Sequence, residues 1–142
     1  MFEQVIKFVT GHWILCLAFA AIVLLIILNE LRERLLGIRR LSPEAVTDLI
    51  NHHHAKLIDL RGNADFKKGH IIGAVNIPMK ELGDKLSVLE ADKNRPIILI
   101  CSNGFQAPDM GQLLKKAGFG QVFCLGGGIN NWQQSNLPLT KK

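Results

Sequence analysis

Apolar residues are distributed unevenly along the 142-residue chain, and the longest apolar run lies near its beginning. No residue from 8 to 29 is charged, and every residue from Trp13 to Leu28 is apolar. A helix needs about 20 residues to cross the hydrocarbon core of a bilayer. Residues 8–28 therefore predict one membrane-spanning helix. Residues 29–40 mix acidic and basic side chains and predict a charged continuation of that helix, which ends near Gly37.

After residue 40 the pattern changes to short apolar segments separated by helical or polar ones. The clearest helix begins at Pro108 and stops before Gly118, and Ser42 with Pro43 predicts the start of an earlier helix. Four segments have the length and composition of strands, namely residues 55–61, 74–78, 96–100 and 121–125. Strands that alternate with helices favour an α/β fold with a parallel sheet covered on both faces. We therefore expect two parts: an anchor with a basic juxtamembrane helix (1–40) and an α/β domain (41–142).

The charges that flank the apolar run predict its orientation. Lys7 alone precedes the run, whereas four arginines follow it at positions 32, 34, 39 and 40. Because basic residues concentrate on the cytoplasmic side, we expect a single-pass protein of the inner (cytoplasmic) membrane with its C-terminal domain in the cytoplasm. A cleaved signal peptide is the main alternative. The length of the run and the lack of a small-residue cleavage site favour an uncleaved anchor that contacts membrane lipid through residues 8–28.

The net charge of +5 is spread thinly, with 0 on residues 1–28, +2 on residues 29–40 and +3 on residues 41–142. Basic and aromatic residues do not alternate, which argues against nucleic acid as a partner. The arginines beside the apolar run are better explained by anionic lipid headgroups.

Cys101 directly follows the most uniformly apolar of the predicted strands, residues 96–100. In open parallel sheets, functional groups gather in the loops after the carboxyl ends of strands. Residues 102–107 form a short loop before the helix at Pro108. Its backbone N–H groups and the positive end of that helix favour a thiolate and any anion attached to it. The position suits a nucleophile, and the structural alternative is a small buried residue at a strand end.

Three stretches together resemble the rhodanese family of sulfurtransferases, over about residues 41–140. They are DLRGNADFKKGHIIGAVNIP (59–78), CSNGFQA (101–107) and AGFGQVFCLGGGINNW (117–132). The first is the most specific, because it is similar to the family signature D-x-R…F-x-x-G-H-I-x-G-A-x-N-I-P at matched spacing. With the apolar run, the layout resembles the membrane-anchored single-domain rhodaneses of proteobacteria. The resemblance implies a rhodanese-like parallel sheet flanked by helices and preceded by one N-terminal transmembrane helix.

In that family, a cysteine equivalent to Cys101 takes sulfane sulfur from a donor, carries it as a persulfide and passes it to an acceptor. The resemblance therefore implies a sulfurtransferase with Cys101 as its catalytic residue. It implies double displacement, a sulfur donor and a thiol or protein acceptor as partners, and no cofactor or metal. The implied substrate- and persulfide-binding loop consists of Ser102, Asn103, Gly104, Phe105 and Gln106.

The loop departs from the family pattern at Gln106, where many members have an arginine that helps to bind anionic donors such as thiosulfate. No other loop residue is cationic. Thiosulfate is therefore expected to be a poor donor, and a neutral or protein-borne persulfide is affected less. The same departure supports an alternative function, a catalytically weak rhodanese fold that serves as a binding or adaptor module for a membrane protein. A cysteine phosphatase is disfavoured, because its C-x5-R loop is one residue longer and ends in arginine.

Asp59 and Arg61 follow a predicted strand and are candidates for supporting the site, but an ion pair of Arg61 with Asp65 or Asp59 is favoured. Cys124 lies inside a predicted strand and is expected in the core. A disulfide between Cys124 and Cys101 would require adjacent strands.

The remaining chemistry-bearing residues are expected to be structural. His52, His53 and His54 cannot easily converge on one metal ion and are expected to end a helix. Gly126–Gly128 lacks the following Lys and Ser/Thr of a phosphate-binding loop, and should permit the turn into a helix that carries Trp132. His70 belongs to the family motif as an element of the fold, and Cys16 is expected to contact lipid or fill a packing gap.

Overall fold

A computed structural model describes the backbone of residues 1–142 and the side chains of residues 1–31 and 37–142. The arginines at positions 32 and 34 on which the predicted orientation partly rests therefore lie outside the described side chains. The chain divides into two compact units, Met1–Gly37 and Ile38–Lys142.

The first unit consists of helix α1 (Phe2–Gly11) and helix α2 (Trp13–Leu36). Within α2, Trp13–Leu31 has a mean hydropathy of 2.7 over 19 residues, and its length and composition suffice to cross a membrane. The prediction of one apolar N-terminal helix is confirmed, but its start is corrected from residue 8 to Trp13.

The start shifts because the helix is interrupted at His12, whose backbone angles are φ −129° and ψ 35°. Two neighbours weaken the helix before this point. The hydroxyl of Thr10 donates to the carbonyl of Ile6 at 2.9 Å, a bond that competes with the helical pattern and bends helices. Gly11 adds backbone freedom.

The second unit is built on a five-stranded sheet in the order β1-β5-β4-β2-β3. All four neighbouring pairs are parallel. The strands are β1 (Arg39–Leu41), β2 (Lys56–Asp59), β3 (Val75–Asn76), β4 (Ile97–Ile100) and β5 (Val122–Leu125). Four of them fall within the predicted segments, and the predicted parallel α/β sheet is confirmed.

Helices cover both faces of this sheet. They are α3 (Pro43–His53), α4 (Asn63–Lys68), α5 (Ala107–Lys116) and α6 (Gly128–Gln134). Two short 3₁₀ segments, Met79–Glu81 and Leu86–Asp92, lie between β3 and β4. The core has two apolar clusters, one that includes Leu114 of α5 and one that includes Trp132 of α6. All four residues of β4 have 0% exposure, because this strand is central and covered on both faces.

Strand β1 was not predicted, because it is short and begins with two arginines. The sequence assigned Arg39 and Arg40 to the charged end of the N-terminal segment, yet Arg39–Leu41 pairs with Phe123–Leu125 of β5. Just before it, Ile38 packs so closely on α5 that a Cβ on Gly111 would lie 2.6 Å from its side chain.

The predicted helix starts hold to within one residue. Ser42 caps α3, and its hydroxyl oxygen accepts the N–H of Ala45 at 3.3 Å. Helix α5 begins at Ala107, so Pro108 is its second residue and not its first. Proline is tolerated at both positions because neither N–H has a partner within the helix.

Candidate active site

Cys101 lies directly after β4, and only 3% of its surface is exposed. The backbone N–H of Gly104 donates to its Sγ at 3.0 Å. A thiol sulfur is a weak hydrogen-bond acceptor, and a thiolate or persulfide sulfur accepts the same bond more strongly. The loop therefore turns at least one amide dipole toward the sulfur.

The loop keeps this shape because of Gly104, which adopts φ +82°. A side chain there would be strained, and its Cβ would lie 2.8 Å from the backbone nitrogen of Gly127. The N–H of Ile129 donates to the carbonyl of Cys101 at 2.9 Å, and the N–H of Asn130 donates to the carbonyl of Ser102 at 3.3 Å. The first turn of α6 thus fixes the backbone of the cysteine.

The glycine segment before α6 makes this close contact possible. Gly127 and Gly128 adopt φ +73° and +62°. A Cβ on Gly128 would overlap the carbonyl oxygen of Cys101. The predicted turn glycines are therefore confirmed, and they also allow α6 to approach the cysteine loop. Trp132 packs in the core as predicted, with 4% exposure.

Of the other loop residues, Asn103 tightens the turn, whereas Phe105 and Gln106 are exposed. The Asn103 side-chain oxygen accepts the N–H of Phe105 at 3.2 Å and tightens the turn. Phe105 itself is 72% exposed. Gln106 precedes α5 as its N-cap residue, and its side chain makes no capping hydrogen bond. The loop thus leaves an aromatic ring and an uncharged amide at the surface.

Asp59 and Arg61 form a buried ion pair at the carboxyl end of β2. The Asp59 carboxylate has 0% exposure and accepts from Arg61 Nε at 3.0 Å and Nη2 at 2.8 Å. The same guanidinium donates to the carbonyl of Gly69 at 2.7 Å. The partner is therefore Asp59 and not Asp65, and the pair holds the chain after β2 against the end of α4.

A cavity of about 290 Å³ lies between α4, the cysteine loop and α6. We call it the loop-side cavity. Lys68 contributes a charge, and its contact with Asp65, at 3.4 Å, joins two mostly exposed side chains. The lining residues are Arg61, Asp65, Lys68, Gly69, Ser102, Ile129, Asn130 and Gln133.

Sequence reasoning missed Lys68, because it considered cations only within the loop and at Arg61. Lys68 could have been considered because it follows another predicted parallel strand. Loops that follow the carboxyl ends of such strands meet at one edge of the sheet, even when they are distant in sequence.

Cys124 lies in the core, with 0% exposure. Burial raises the pKa of its thiol, and the Arg40 charge opposes this rise. Strands β4 and β5 are adjacent, but Cys124 is in register with Leu99 and not with Cys101. Two residues of strand offset put the two cysteine Cα atoms about 8 Å apart, beyond the reach of a disulfide.

None of His52, His53, His54 and His70 lines the loop-side cavity. His52 and His53 form the last turn of α3, and His54 follows in the left-handed conformation. The ring of His70 stacks on Phe66, with centroids 3.7 Å apart, and its Nδ1 donates to the carbonyl of Phe66 at 2.8 Å.

Known proteins share the sequence motifs and the fold of this chain. The sequence profile of the rhodanese-like domain matches residues 42–135. The chain belongs to the rhodanese-like domain family. Over 140 residues, this rhodanese-like chain is 33% identical to YibN, an uncharacterised protein of Escherichia coli K12, and the match covers 98% of both chains. It is 29% identical over 98 residues to the thiosulfate sulfurtransferase GlpE of Shewanella oneidensis, covering 69% of this chain and 95% of that protein.

Solved structures agree with this membership. A rhodanese-related protein from Thermoplasma volcanium superposes with a TM-score of 0.66 at 23% identity, covering 73% of this chain and 99% of that one. The rhodanese-like domain of Alr3790 from Anabaena superposes with a TM-score of 0.65 at 25% identity, covering 72% and 79%. The rhodanese-like chain thus has the family's fold, and its similarity to GlpE thiosulfate sulfurtransferases supports a sulfurtransferase-type fold.

Proposed function

We propose that this protein is a membrane-anchored sulfurtransferase in which Cys101 carries sulfane sulfur as a persulfide. The observation that carries the proposal is the hydrogen bond from the Gly104 N–H to the Cys101 sulfur at the carboxyl end of β4. An amide aimed at this sulfur stabilises a thiolate nucleophile, and it can also stabilise the negative charge of a persulfide.

The reaction consists of two displacements at sulfur. The Cys101 thiolate attacks the outer sulfur of the donor and forms an S–S bond. The donor's own bond to that sulfur breaks, and the remainder leaves with the electron pair, as sulfite when the donor is thiosulfate. A thiolate or cyanide then attacks the outer persulfide sulfur, and the electron pair of the broken S–S bond returns to Cys101. The second half restores the Cys101 thiolate that the first half consumes.

The surroundings of the loop favour particular donors. Gln106 supplies no charge, and the guanidinium of Arg61 is held by Asp59 and Gly69. Lys68 is left as the solvent-facing cation of the loop-side cavity, with 79% of its side chain exposed. One solvated ammonium attracts thiosulfate weakly, so a neutral or protein-borne persulfide is the better donor.

The proposed location is the inner membrane, with α2 as the span and the C-terminal unit in the cytoplasm. It is supported by the 19-residue, largely apolar stretch Trp13–Leu31 and by the arginines that follow it in sequence. Protease treatment of inverted membrane vesicles should digest the C-terminal unit, and treatment of intact spheroplasts should leave it whole. The opposite pattern would reverse the proposed orientation.

Persulfide formation is tested on the full chain in a neutral detergent. After incubation with polysulfide, the intact mass should rise by one sulfur. Cys101→Ser should abolish the gain, and Cys124→Ser is the matched control because it removes a buried thiol away from the loop. A gain that persists without Cys101, or that requires Cys124, contradicts the assignment.

The second candidate function is a binding or adaptor module that recognises a membrane protein and transfers no sulfur. It is favoured by the uncharged Gln106 and by Phe105, a loop residue that is 72% exposed. A correctly folded chain that gains no sulfur from polysulfide, thiosulfate or glutathione persulfide would support it. Gln106→Arg provides a further test, because an added loop cation should raise thiosulfate:cyanide activity if charge limits this donor.

A further inference from the structure

A second cavity, of about 500 Å³, lies on the opposite side of α4 from the loop-side cavity. We call it the basic cavity. Asn63, Phe66 and Lys67 of α4 line it, whereas Asp65 and Lys68 line the loop-side cavity. Residues at spacing i, i+3 and i+4 share one helix face, so α4 separates two different sites. The volume is within the range of small-molecule sites.

The basic cavity is strongly cationic. Its walls carry four lysines, Lys67, Lys85, Lys141 and Lys142, and one acidic residue, Glu81. Glu81 is held by Lys85 at 2.6 Å. Within the described part of the chain, no carboxylate side chain forms an ion pair with the other three lysines. Several ammonium groups around one cavity favour a multiply charged anion.

The fold positions the backbone beside these lysines. The backbone N–H of His70 donates to the carbonyl of Thr140 at 2.9 Å, and the N–H of Thr140 donates back at 2.8 Å. This bridge fixes the residues that precede Lys141 and Lys142. On the facing wall, Lys67 directly follows Phe66 on α4.

Two stacked rings form part of one wall of the same cavity. The rings of Phe66 and His70 are nearly parallel, with an interplanar angle of 7° and centroids 3.7 Å apart. The His70 Nδ1 hydrogen bond to the Phe66 carbonyl fixes the imidazole plane. Pro78 adds a further rigid, apolar surface. A planar organic group can therefore stack or pack here while its charge reaches the lysines.

We propose that the basic cavity binds an organic phosphate monoester, with the phosphate among the lysines and the organic group against Phe66. The same chemistry is available from a soluble phosphate ester and from the headgroup of a phosphatidate lipid. The proposal does not depend on sulfur transfer at Cys101.

The test is a titration of the full chain in a neutral detergent with phenyl phosphate, inorganic phosphate and phenol. Phenyl phosphate should bind saturably and about fivefold more tightly than inorganic phosphate, because only the ester also contacts the ring wall. Phenol should not bind measurably. Equal affinity for phenyl phosphate and inorganic phosphate, or no saturable binding of either, overturns the proposal.

Variants locate the binding. Lys67→Gln combined with Lys141→Gln should weaken phenyl phosphate binding about tenfold, since each lost charge is a solvated contact. Lys115→Gln combined with Lys116→Gln, on the exposed end of α5, removes the same two charges and controls for net charge. The melting temperature of each variant shows whether it is folded. Loss of binding in Lys68→Gln alone would place the anion in the loop-side cavity and would refute the assignment.

Nanodiscs distinguish the two sources of the phosphate. If the ligand is a lipid headgroup, phosphatidate in the disc should compete with phenyl phosphate, and phosphatidylcholine should not. If the ligand is a soluble ester, the affinity for phenyl phosphate should be the same in both discs. In either case the lysine double variant must bind more weakly than the unaltered chain for the proposal to stand.

Discussion

Replacement of Gly104 by alanine is the sharpest test of the cysteine loop. The left-handed φ of +82° costs an L-residue about 1–2 kcal/mol. The added Cβ would lie 2.8 Å from the Gly127 nitrogen, so the loop or the start of α6 must shift. Such overpacking costs about 1–3 kcal/mol more. We therefore expect Gly104→Ala to destabilise the C-terminal unit by about 2–5 kcal/mol.

The same shift should impair the chemistry, because the Gly104 N–H is the donor to the Cys101 sulfur. Loss of one preorganised donor to a developing anion costs about 100-fold or more in rate. Sulfur loading of Cys101, followed by intact mass against time, should slow by at least that factor. Calorimetry of the full chain should show a transition lowered by about 10 °C or more.

Gly120→Ala is the matched control for this experiment. A Cβ at Gly120 would meet nothing within 4 Å, and its φ is not in the left-handed region. Its stability should be unchanged or slightly raised, because alanine restricts the unfolded chain. If Gly104→Ala were as stable and as rapidly loaded as Gly120→Ala, the role assigned to this glycine and its amide would be refuted.

Three further predictions concern charge and burial. Lys68→Gln should raise the KM for thiosulfate about fivefold without changing kcat; an equal effect of Lys116→Gln would show that only net charge matters. Asp59→Asn should destabilise the protein by about 3 kcal/mol, because the Arg61 guanidinium stays buried without its carboxylate; a loss below about 1 kcal/mol in urea unfolding would contradict this. Burial raises the pKa of the Cys124 thiol above its ordinary 9.0. As the pH rises past 9.0, the unfolded chain therefore loses this proton before the folded chain does, and the free energy of unfolding falls. Cys124→Ala should flatten this alkaline decline in urea unfolding, and an unchanged slope would assign it to other groups.

The sequence predicted those parts of the fold that depend on local patterns. The apolar strand before Cys101 and the helix after it were found because their residues are uniformly apolar or helically spaced. Strand β1 was missed because Arg39–Leu41 has no strand pattern of its own and forms a strand by pairing with β5. The break at His12 was missed because hydropathy measures the apolar run but does not describe backbone hydrogen bonds.

For the site, the sequence predicted the cysteine and the glycine of its loop, but not the surroundings that hold them. The contact between Gly128 and the Cys101 carbonyl joins residues far apart in the chain, and no local spacing encodes it. Lys68 reaches the loop-side cavity only because the segments after β2, β4 and β5 meet at one edge of the sheet. The ion-pair partner of Arg61 was ambiguous in sequence, because Asp59 and Asp65 both lie within reach along the chain.

The burial of Trp132 in the first helix after the glycine segment gives the protein an intrinsic optical reporter. Its indole N–H donates to the carbonyl of Pro138 at 3.1 Å, and its helix also holds the Cys101 backbone. The only other tryptophan in the sequence, Trp13, lies at the start of the apolar helix. In a Trp13→Phe background, emission therefore comes from one core indole, and the first turn of its helix binds the Cys101 backbone. Movements of that helix on ligand binding or sulfur loading should therefore be followed in real time without an attached dye.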